Sequence, residues 1–439
     1  MQLRLNIRHI VRRGFLVSLS ALLSLAGAAS AQSSDQLQKR SSLIAESSNA
    51  KSQPIKIGFL AELSGVASDP GHDLLNGMQL FMDQINGTIA GRKVQLIVEN
   101  DESSAPTGVA KAKKLIDEDK VDVLSGLILA NVAYAVAPVA DRTKTPFVIS
   151  VAAADDLTQR KRSEWVVRAG FSCSSHSFPL GEYAAKELHY KKVVTLGMDY
   201  PFGYETVGGF QKSFELAGGK VIQKLWAPLG FQDFTEQIKK IRPDADALFL
   251  NSTSKAAEII PKQLKEQGIK LPIIACGTSF DESILPHLGD EAVGALSTAN
   301  YSAALDTAAN KKFVQAFRAK YHQDPGLYAV GAYNSGLMIK KALESLKGDT
   351  SDKQKLMQAI RHVELTETPG GHFKLDDYGN PVQNMYLRRV DKKNGKLQNT
   401  IVHTFPNVTQ FWTWTPEEYM KQPPYSAAYP PCTNCIDKQ

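Results

Sequence analysis

Cys173 and His176 stand three residues apart, so a single helical turn would bring a thiol beside an imidazole, the pairing of a nucleophile with its base. Nothing joins them. The chain holds no G-x-S-x-G, H-E-x-x-H, G-x-G-x-x-G or phosphate-loop motif, and its nine histidines are scattered. Cys432 and Cys435 have the spacing of a metal or thiol-exchange pair, yet they follow the Pro-rich PPYSAAYPP rather than opening a helix, where a thiol pKa would be lowered. A small oxidised loop clip is the simpler reading of that pair. Asp376, Asp377 and Asn380 are oxygen donors without the spacing or terminal Glu of a calcium loop, and a hairpin turn explains them. We therefore expect no catalytic residue, no metal and no cofactor.

The elements around these residues suit capture of a solute. The first 31 residues carry Arg4, Arg8, Arg12 and Arg13, an apolar run from Phe15 to Leu25 and the A-x-A site Ala29-Ser30-Ala31. This is an export signal cleaved after Ala31, its apolar run being shorter than the roughly 20 residues a membrane span needs. Arg12-Arg13-Gly14-Phe15-Leu16 looks like a twin-arginine core without its flanking Ser and Lys, so general secretion is the expected route. No cysteine lies near the cleavage site, which points to a free periplasmic protein of a Gram-negative cell. Gln32 to Gln53 reads as a disordered tether. The formal charge of +6 falls to about +2 without the four signal arginines, which is no nucleic-acid footprint. What remains exceeds the limit of one core, about 250–300 residues, and implies two lobes.

Strand Ile55–Leu60 alternates apolar residues, and Leu74, Met78, Phe81, Met82 and Ile85 then recur at helical spacing before the turn pair Asn86-Gly87. The alternation continues: strands at 94–98, 121–124 and 146–150 are separated by helices from 106 and over 131–141. A second series has strands at 193–197, 220–224, 247–250 and 272–275. Its helices are 203–217, one around Phe234 to Ile241, and 256–267. Such alternation predicts an α/β fold of parallel βαβ units with helices on both faces. Helices around 311–321, 329–346 and 353–362 come next. A β-rich end follows, with a turn at Gly379-Asn380 between Phe373 and the strand 385–389.

Over residues 54 to 405 the wording resembles the type I periplasmic solute-binding proteins of ABC transporters, the leucine/isoleucine/valine-binding group. The resemblance rests on ELSG at 62–65 with its spaced glycine, ISVAAADDLT at 149–158 and Asp199-Tyr-Pro-Phe-Gly-Tyr-Glu. It also rests on Phe231-Gln-Asp-Phe and on Gly370-Gly-His-Phe-Lys-Leu-Asp-Asp-Tyr-Gly-Asn. It implies two Rossmann-like lobes joined by three crossovers, expected near Ala169, Asn300 and Gly370. Lobe one would be 54–169 plus 300–370, lobe two 170–299 plus 371–410, and 411–439 a C-terminal tail.

Ligands of open parallel sheets bind beyond the carboxyl ends of the strands, which selects the loops 62–65, 126–131, 150–155, 199–204, 251–255 and 277–281. Helix N-termini leave unpaired N–H groups that attract anions, by up to about 2 kcal/mol each when partly buried. A ligand carboxylate thus belongs in lobe one. By resemblance Ala130, Asn131, Ala152 and Ala154 fall where the amino-acid binders hold that group, with main-chain donors in place of lost hydroxyls. Asn131 has a competing role as helix N-cap, and Ser64 one as a loop-stabilising hydroxyl. In lobe two Phe202 stands for a covering Tyr. Thr253 and Ser254 stand at another Tyr and widen the wall there, with Phe280 either filling the space or belonging to the core. Gly277-Thr278 aligns with the Glu that meets the ligand ammonium. Burying an unpartnered ammonium costs several kcal/mol against the roughly 8 kcal/mol of a micromolar affinity. Either Glu62 or Asp281 supplies that charge, or the ligand has no ammonium. We expect the second: an aromatic or otherwise apolar carboxylic acid, or an amide. The implied role is that of receptor for a membrane permease, acting as a monomer. Alternatives are a branched-chain amino-acid receptor and a ligand sensor for a membrane receptor.

Overall fold

The computed structural model describes residues 53–433 and 435. The expected signal segment, its Ala31 cleavage site and nearly all of the 32–53 tether lie outside those residues. Among the described residues no helix is long and apolar enough to cross a membrane.

Two sheets organise the chain. The first has the order β2-β3-β1-β4-β5-β6, built from β1 (Ile55–Ala61), β2 (Thr88–Ile89), β3 (Arg92–Asn100), β4 (Val123–Gly126), β5 (Phe147–Ile149) and β6 (Val166–Arg168). All its pairings are parallel except the β2–β3 turn-back. Ile55, Ile57, Phe59 and Leu60 are fully buried, as expected of a central strand covered on both faces. Helices α1 (Ser68–Gln84), α2 (Ala105–Lys113) and α3 (Ala130–Thr143) follow β1, β3 and β4. Gly126 ends β4 with φ +108°, and a Cβ there would lie 2.0 Å from the Leu60 carbonyl oxygen. Only glycine lets β4 turn this closely against β1 on its way into α3.

The second sheet runs β12-β13-β14-β11-β10-β9-β7-β8, with β15 paired to β14. Strands β7 (Lys192–Met198), β8 (Lys220–Ala227), β9 (Ala247–Leu250), β10 (Ile273–Cys276) and β11 (Leu296–Ala299) are parallel to one another. Between them run α4 (Cys173–Lys186, ahead of β7), α5 (Pro201–Leu216), α6 (Thr235–Lys239) and α7 (Ser254–Glu266). At the other edge the expected β-rich end follows, where β12 (Glu364–Leu365), β13 (Phe373–Leu375), β14 (Pro381–Lys393) and β15 (Lys396–Val408) pair antiparallel. The Asp376–Asn380 turn joins β13 to β14, and Asn394-Gly395, both at positive φ, form the tip of the long β14–β15 hairpin. Between β11 and β12 come α8 (Ala308–Tyr321), α9 (Leu327–Ser345) and α10 (Lys353–Arg361), with α9 lying against α1 of the first half.

Two fully buried arginines brace the chain where it passes between the halves. Arg168 donates to Asn380 Oδ1 at 2.7 Å and to the Ala154 carbonyl. Arg388 donates to Glu282 at 3.1 Å, to the Tyr301 carbonyl at 3.0 Å and to the Gly277 carbonyl at 2.9 Å. A buried guanidinium needs its terminal NH groups met in this way; Nε of each arginine is buried without a partner. Beyond β15 the chain continues into α11 (Pro416–Met420) and ends its described part at Cys432 and Cys435, which form a disulfide with Cα atoms 5.2 Å apart.

Candidate functional site

The carboxyl ends of β1, β4 and β5 build one wall. Glu62, next after β1, is fully buried, and its Oε1 accepts from the Ile128 and Leu129 amides at 2.8 and 2.9 Å. It therefore caps the entry to α3. Leu129 is the N-cap residue, so Asn131 is not; it stands second in the helix, with Oδ1 buried and unpartnered. Among the described residues the Ala130, Asn131 and Ala154 amides have no acceptor, as expected for a first helical turn and for the residue before a short 3₁₀ turn. Ala152 differs from expectation: its amide donates to the Leu127 carbonyl at 2.9 Å, knitting the β4 and β5 loops together. Ser64 Oγ accepts from Asn100 Nδ2 at 2.8 Å and holds its loop.

The ends of β7, β9 and β10 build the other wall. Phe202 is buried in the first turn of α5, its ring 6.0 Å from that of Tyr200. The Tyr200 phenol is pushed well above its usual pKa by burial, and then by Tyr328, Cys173, Cys276 and Glu62, neighbours drawn from both halves. Thr253 Oγ1 and Tyr328 Oη, on α7's cap and on α9, are 2.8 Å apart across the division. Ser254 begins α7 at φ +52°, a strained value for a residue with a side chain, and its buried hydroxyl has no partner. Thr278 Oγ1 donates to the Ser252 carbonyl at 2.7 Å. Phe280 is fully buried and part of the apolar core. Gly277 is tightly packed on its Cα: a Cβ there would meet the Ala299 Cβ and the Thr298 oxygen at 2.7 Å and His176 at 2.8 Å.

The halves touch directly. Glu205, one turn beyond Phe202, accepts from Tyr134 Oη at 2.9 Å and from the Asp155 amide at 2.8 Å. Burial, and then the charge of Asp155, raise its pKa. Lys255 meets Asp69 at 3.4 Å further out. Residues 54–396 match the periplasmic binding protein family. The chain belongs to that family.

Among solved structures it resembles an ABC transporter substrate-binding protein from Sphaerobacter thermophilus, at 32% identity and a TM-score of 0.77, over 82% of this chain and 99% of that one. It also resembles a solute-binding protein of an ABC transporter from Rhodopseudomonas palustris BisB5, solved with 3,4-dihydroxybenzoic acid. That match has 30% identity and a TM-score of 0.78, over 81% of this chain and 98% of that one. Among characterised sequences it is 28% identical to the Leu/Ile/Val-binding protein homolog 6 of Brucella suis biovar 1, over 82% of this chain and 93% of the relative.

In this periplasmic binding protein the two acids expected to meet an ammonium are both engaged, although Glu62 Oε2 is left without a partner. Glu62 is bonded to two amides, and burial, followed by the charge of Asp101, raises its pKa and favours the neutral acid. Asp281 accepts from the Leu327 amide at 2.8 Å and from Ser283 Oγ at 2.7 Å. The Cys173–His176 pair is not a nucleophile and base. The thiol is raised well above its ordinary pKa, first by burial and then by Glu205, while the imidazole stacks on Phe171 and is held neutral, its pKa lowered to about 3 by burial and Arg388. Asp155, Cys173 and Glu205 bring one donor atom each within 4.8 Å, a set able to hold a cation, but the Arg168 charge acting on Asp155 and Cys173 opposes one. A groove of about 1240 Å³ lies elsewhere, beside the β14–β15 tip, and contains none of the expected ligand residues except through their neighbour Glu282. Tyr328 and Glu205 lie outside the expected loops, and Tyr200, inside the 199–204 loop, was not singled out there. Tyr200 and Glu205 both belong to the Asp199-to-Glu205 motif, which was the available signal; Tyr328 has none in spacing alone.

Proposed function

We propose that this chain is the periplasmic receptor of an ABC importer, exported by a cleaved signal peptide, and that it closes two lobes as a monomer over a small aromatic or otherwise apolar carboxylic acid. The lobes are 54–169 with 300–370 and 170–299 with 371–410. One observation carries the ligand class: the wall offers unpaired amides at Ala130, Asn131 and Ala154 for a carboxylate, while Asp281 is bonded to the Leu327 amide and Glu62, its Oε2 unpartnered, is favoured by burial as the neutral acid. The likeness to a protein solved with 3,4-dihydroxybenzoic acid supports it. Tyr200 and Ser254 supply hydroxyls to a ring substituent, and Phe202 covers the ring. Closure follows because the ligand touches both lobes, and only such differential affinity shifts an open–closed equilibrium.

Thermal shift and titration calorimetry on residues 32–439 test this with benzoate, 3,4-dihydroxybenzoate, leucine and isoleucine. The aromatic acids should bind at micromolar affinity or better. Tyr200→Phe and Ser254→Ala should weaken the hydroxylated acid by about three- to tenfold, one net hydrogen bond each, and leave benzoate little changed. Binding of leucine without the aromatic acids would instead establish branched-chain amino-acid capture, the reading the Brucella relative favours.

A further inference from the structure

The chain beyond β15 packs as an aromatic strap on the second half. Trp412, Trp414 and Tyr419 surround Phe178 of α4 with ring centroids 5.5 to 6.4 Å from it. Tyr425 lies over Gly208 of α5, and Gln211 of the same helix donates to the Pro431 carbonyl at 3.0 Å. From the first half the loop between β5 and β6 reaches onto this strap: Thr158 Oγ1 donates to Gln410 Oε1 at 2.9 Å, and a guanidinium goes further. Arg160, in the loop between β5 and β6, donates to the carbonyls of Tyr419, Met420 and Gln422 at 3.1, 3.3 and 2.6 Å. These are carbonyls of the end of α11 and its exit turn; that of Tyr419 also accepts from the Gln422 amide at 3.2 Å, whereas a helix end leaves its other last carbonyls to such outside donors. Asp156 fixes the guanidinium from behind at 2.8 Å. On the far side Lys212 of α5 sits 4.3 Å from the Trp414 ring and 4.9 Å from that of Tyr419, and bonds Gln422. Two cations, one from each half, thus approach the strap's rings and carbonyls from opposite sides; each is attracted to the strap, which offsets the repulsion between Arg160 and Lys212 that remains.

We propose that Arg160 is a positioning residue for lobe closure: by gripping the C-terminal segment it bolts the closed form and slows ligand release. The inference rests on the receptor reading above, in which the ligand is held only while the lobes are shut.

The test uses the full mature chain with Arg160→Gln and Arg160→Lys. Stopped-flow with 3,4-dihydroxybenzoate should show dissociation accelerated at least about tenfold in Arg160→Gln with association little changed, because the lost bonds exist only in the closed form. Arg160→Lys should recover part of the effect, since one ammonium cannot span three carbonyls. Small-angle scattering of the unliganded proteins should give a larger radius of gyration for Arg160→Gln than for the parent. A purely structural role would lower the melting temperature and leave the rate split absent, and dissociation unchanged in Arg160→Gln overturns the proposal. If no aromatic acid binds the parent, the receptor reading's ligand fails instead, and the scattering still decides the bolt: identical curves overturn it.

Discussion

Glu205 offers the sharpest test of closure, because its carboxylate belongs to one half and its donors to the other. Glu205→Ala removes the acceptor of the Tyr134 hydroxyl and of the Asp155 amide, now met at 2.9 and 2.8 Å. In the open form water satisfies both donors, so the loss falls on the closed form alone. A buried donor without a partner costs about 1–3 kcal/mol; two together cost about 2–4 kcal/mol after the Tyr134 hydroxyl rotates, or a roughly 30- to 1000-fold weaker affinity. Glu205→Gln should behave differently. Its carbonyl oxygen takes the Asp155 amide and its NH₂ donates to the Tyr134 oxygen, which already accepts from the Asp156 amide at 3.2 Å, so affinity should stay within about threefold. The pair also separates by pH. Burial and Asp155 raise the Glu205 pKa, so the closed form holds a proton that an open, solvated carboxylate releases. That contribution is complete below the ordinary carboxylate pKa and is lost as pH climbs through the raised one. Affinity of the parent should therefore fall between about pH 4.5 and about pH 8, and the fall should be smaller in Glu205→Gln. Calorimetry with 3,4-dihydroxybenzoate reads all three proteins. Parent-like binding by Glu205→Ala, or equal damage from Gln and Ala, would refute the bridge.

Two further outcomes concern the fold beneath the site. Gly277→Glu, which restores the acid of the amino-acid binders, should lower stability by about 1–3 kcal/mol through overpacking and confer no leucine binding, because its Cβ enters the space of Ala299, Thr298 and His176; a native melting temperature with new leucine affinity would contradict this. Asp73, buried against the Ala329 amide at 3.3 Å, has its pKa raised to about 8 by burial and by Asp281. A raised acid stabilises the fold below its unfolded pKa and loses that effect as pH passes the folded value. The melting temperature should thus drop from about pH 5 to about pH 8.5, and Asp73→Asn should flatten the curve; an unchanged slope in the variant would show that other acids set it.

How far the sequence could be read depended on whether a residue's task is local. The apolar alternation of Ile55, Ile57 and Phe59 and the helical spacing of Leu74, Met78 and Phe81 announce strand and helix because each side chain needs only its own element's burial. The carboxyl-end loops followed from that alternation, whereas Ala130, Asn131 and Ala154 within them were implied by the family resemblance. The Asn394-Gly395 turn was visible yet unread, and the strands on either side of it look unlike the others because β15 is an edge, exposed along much of its length. Tasks that join distant segments left no trace in spacing. Glu62 reads as an acid able to supply charge to the cleft, but its Oε1 is bonded to amides 66 and 67 residues away; Tyr328, just ahead of the expected 329–346 helix, belongs to no motif, but its hydroxyl meets Thr253. Gly277 is the instructive case. Alignment gave it the position of a charged ligand contact, whereas packing against His176 and Ala299 crowds that position at its Cα. The missing charge therefore cannot be restored by restoring a residue. The ligand class is set by which polar groups the two halves leave without partners once they have docked.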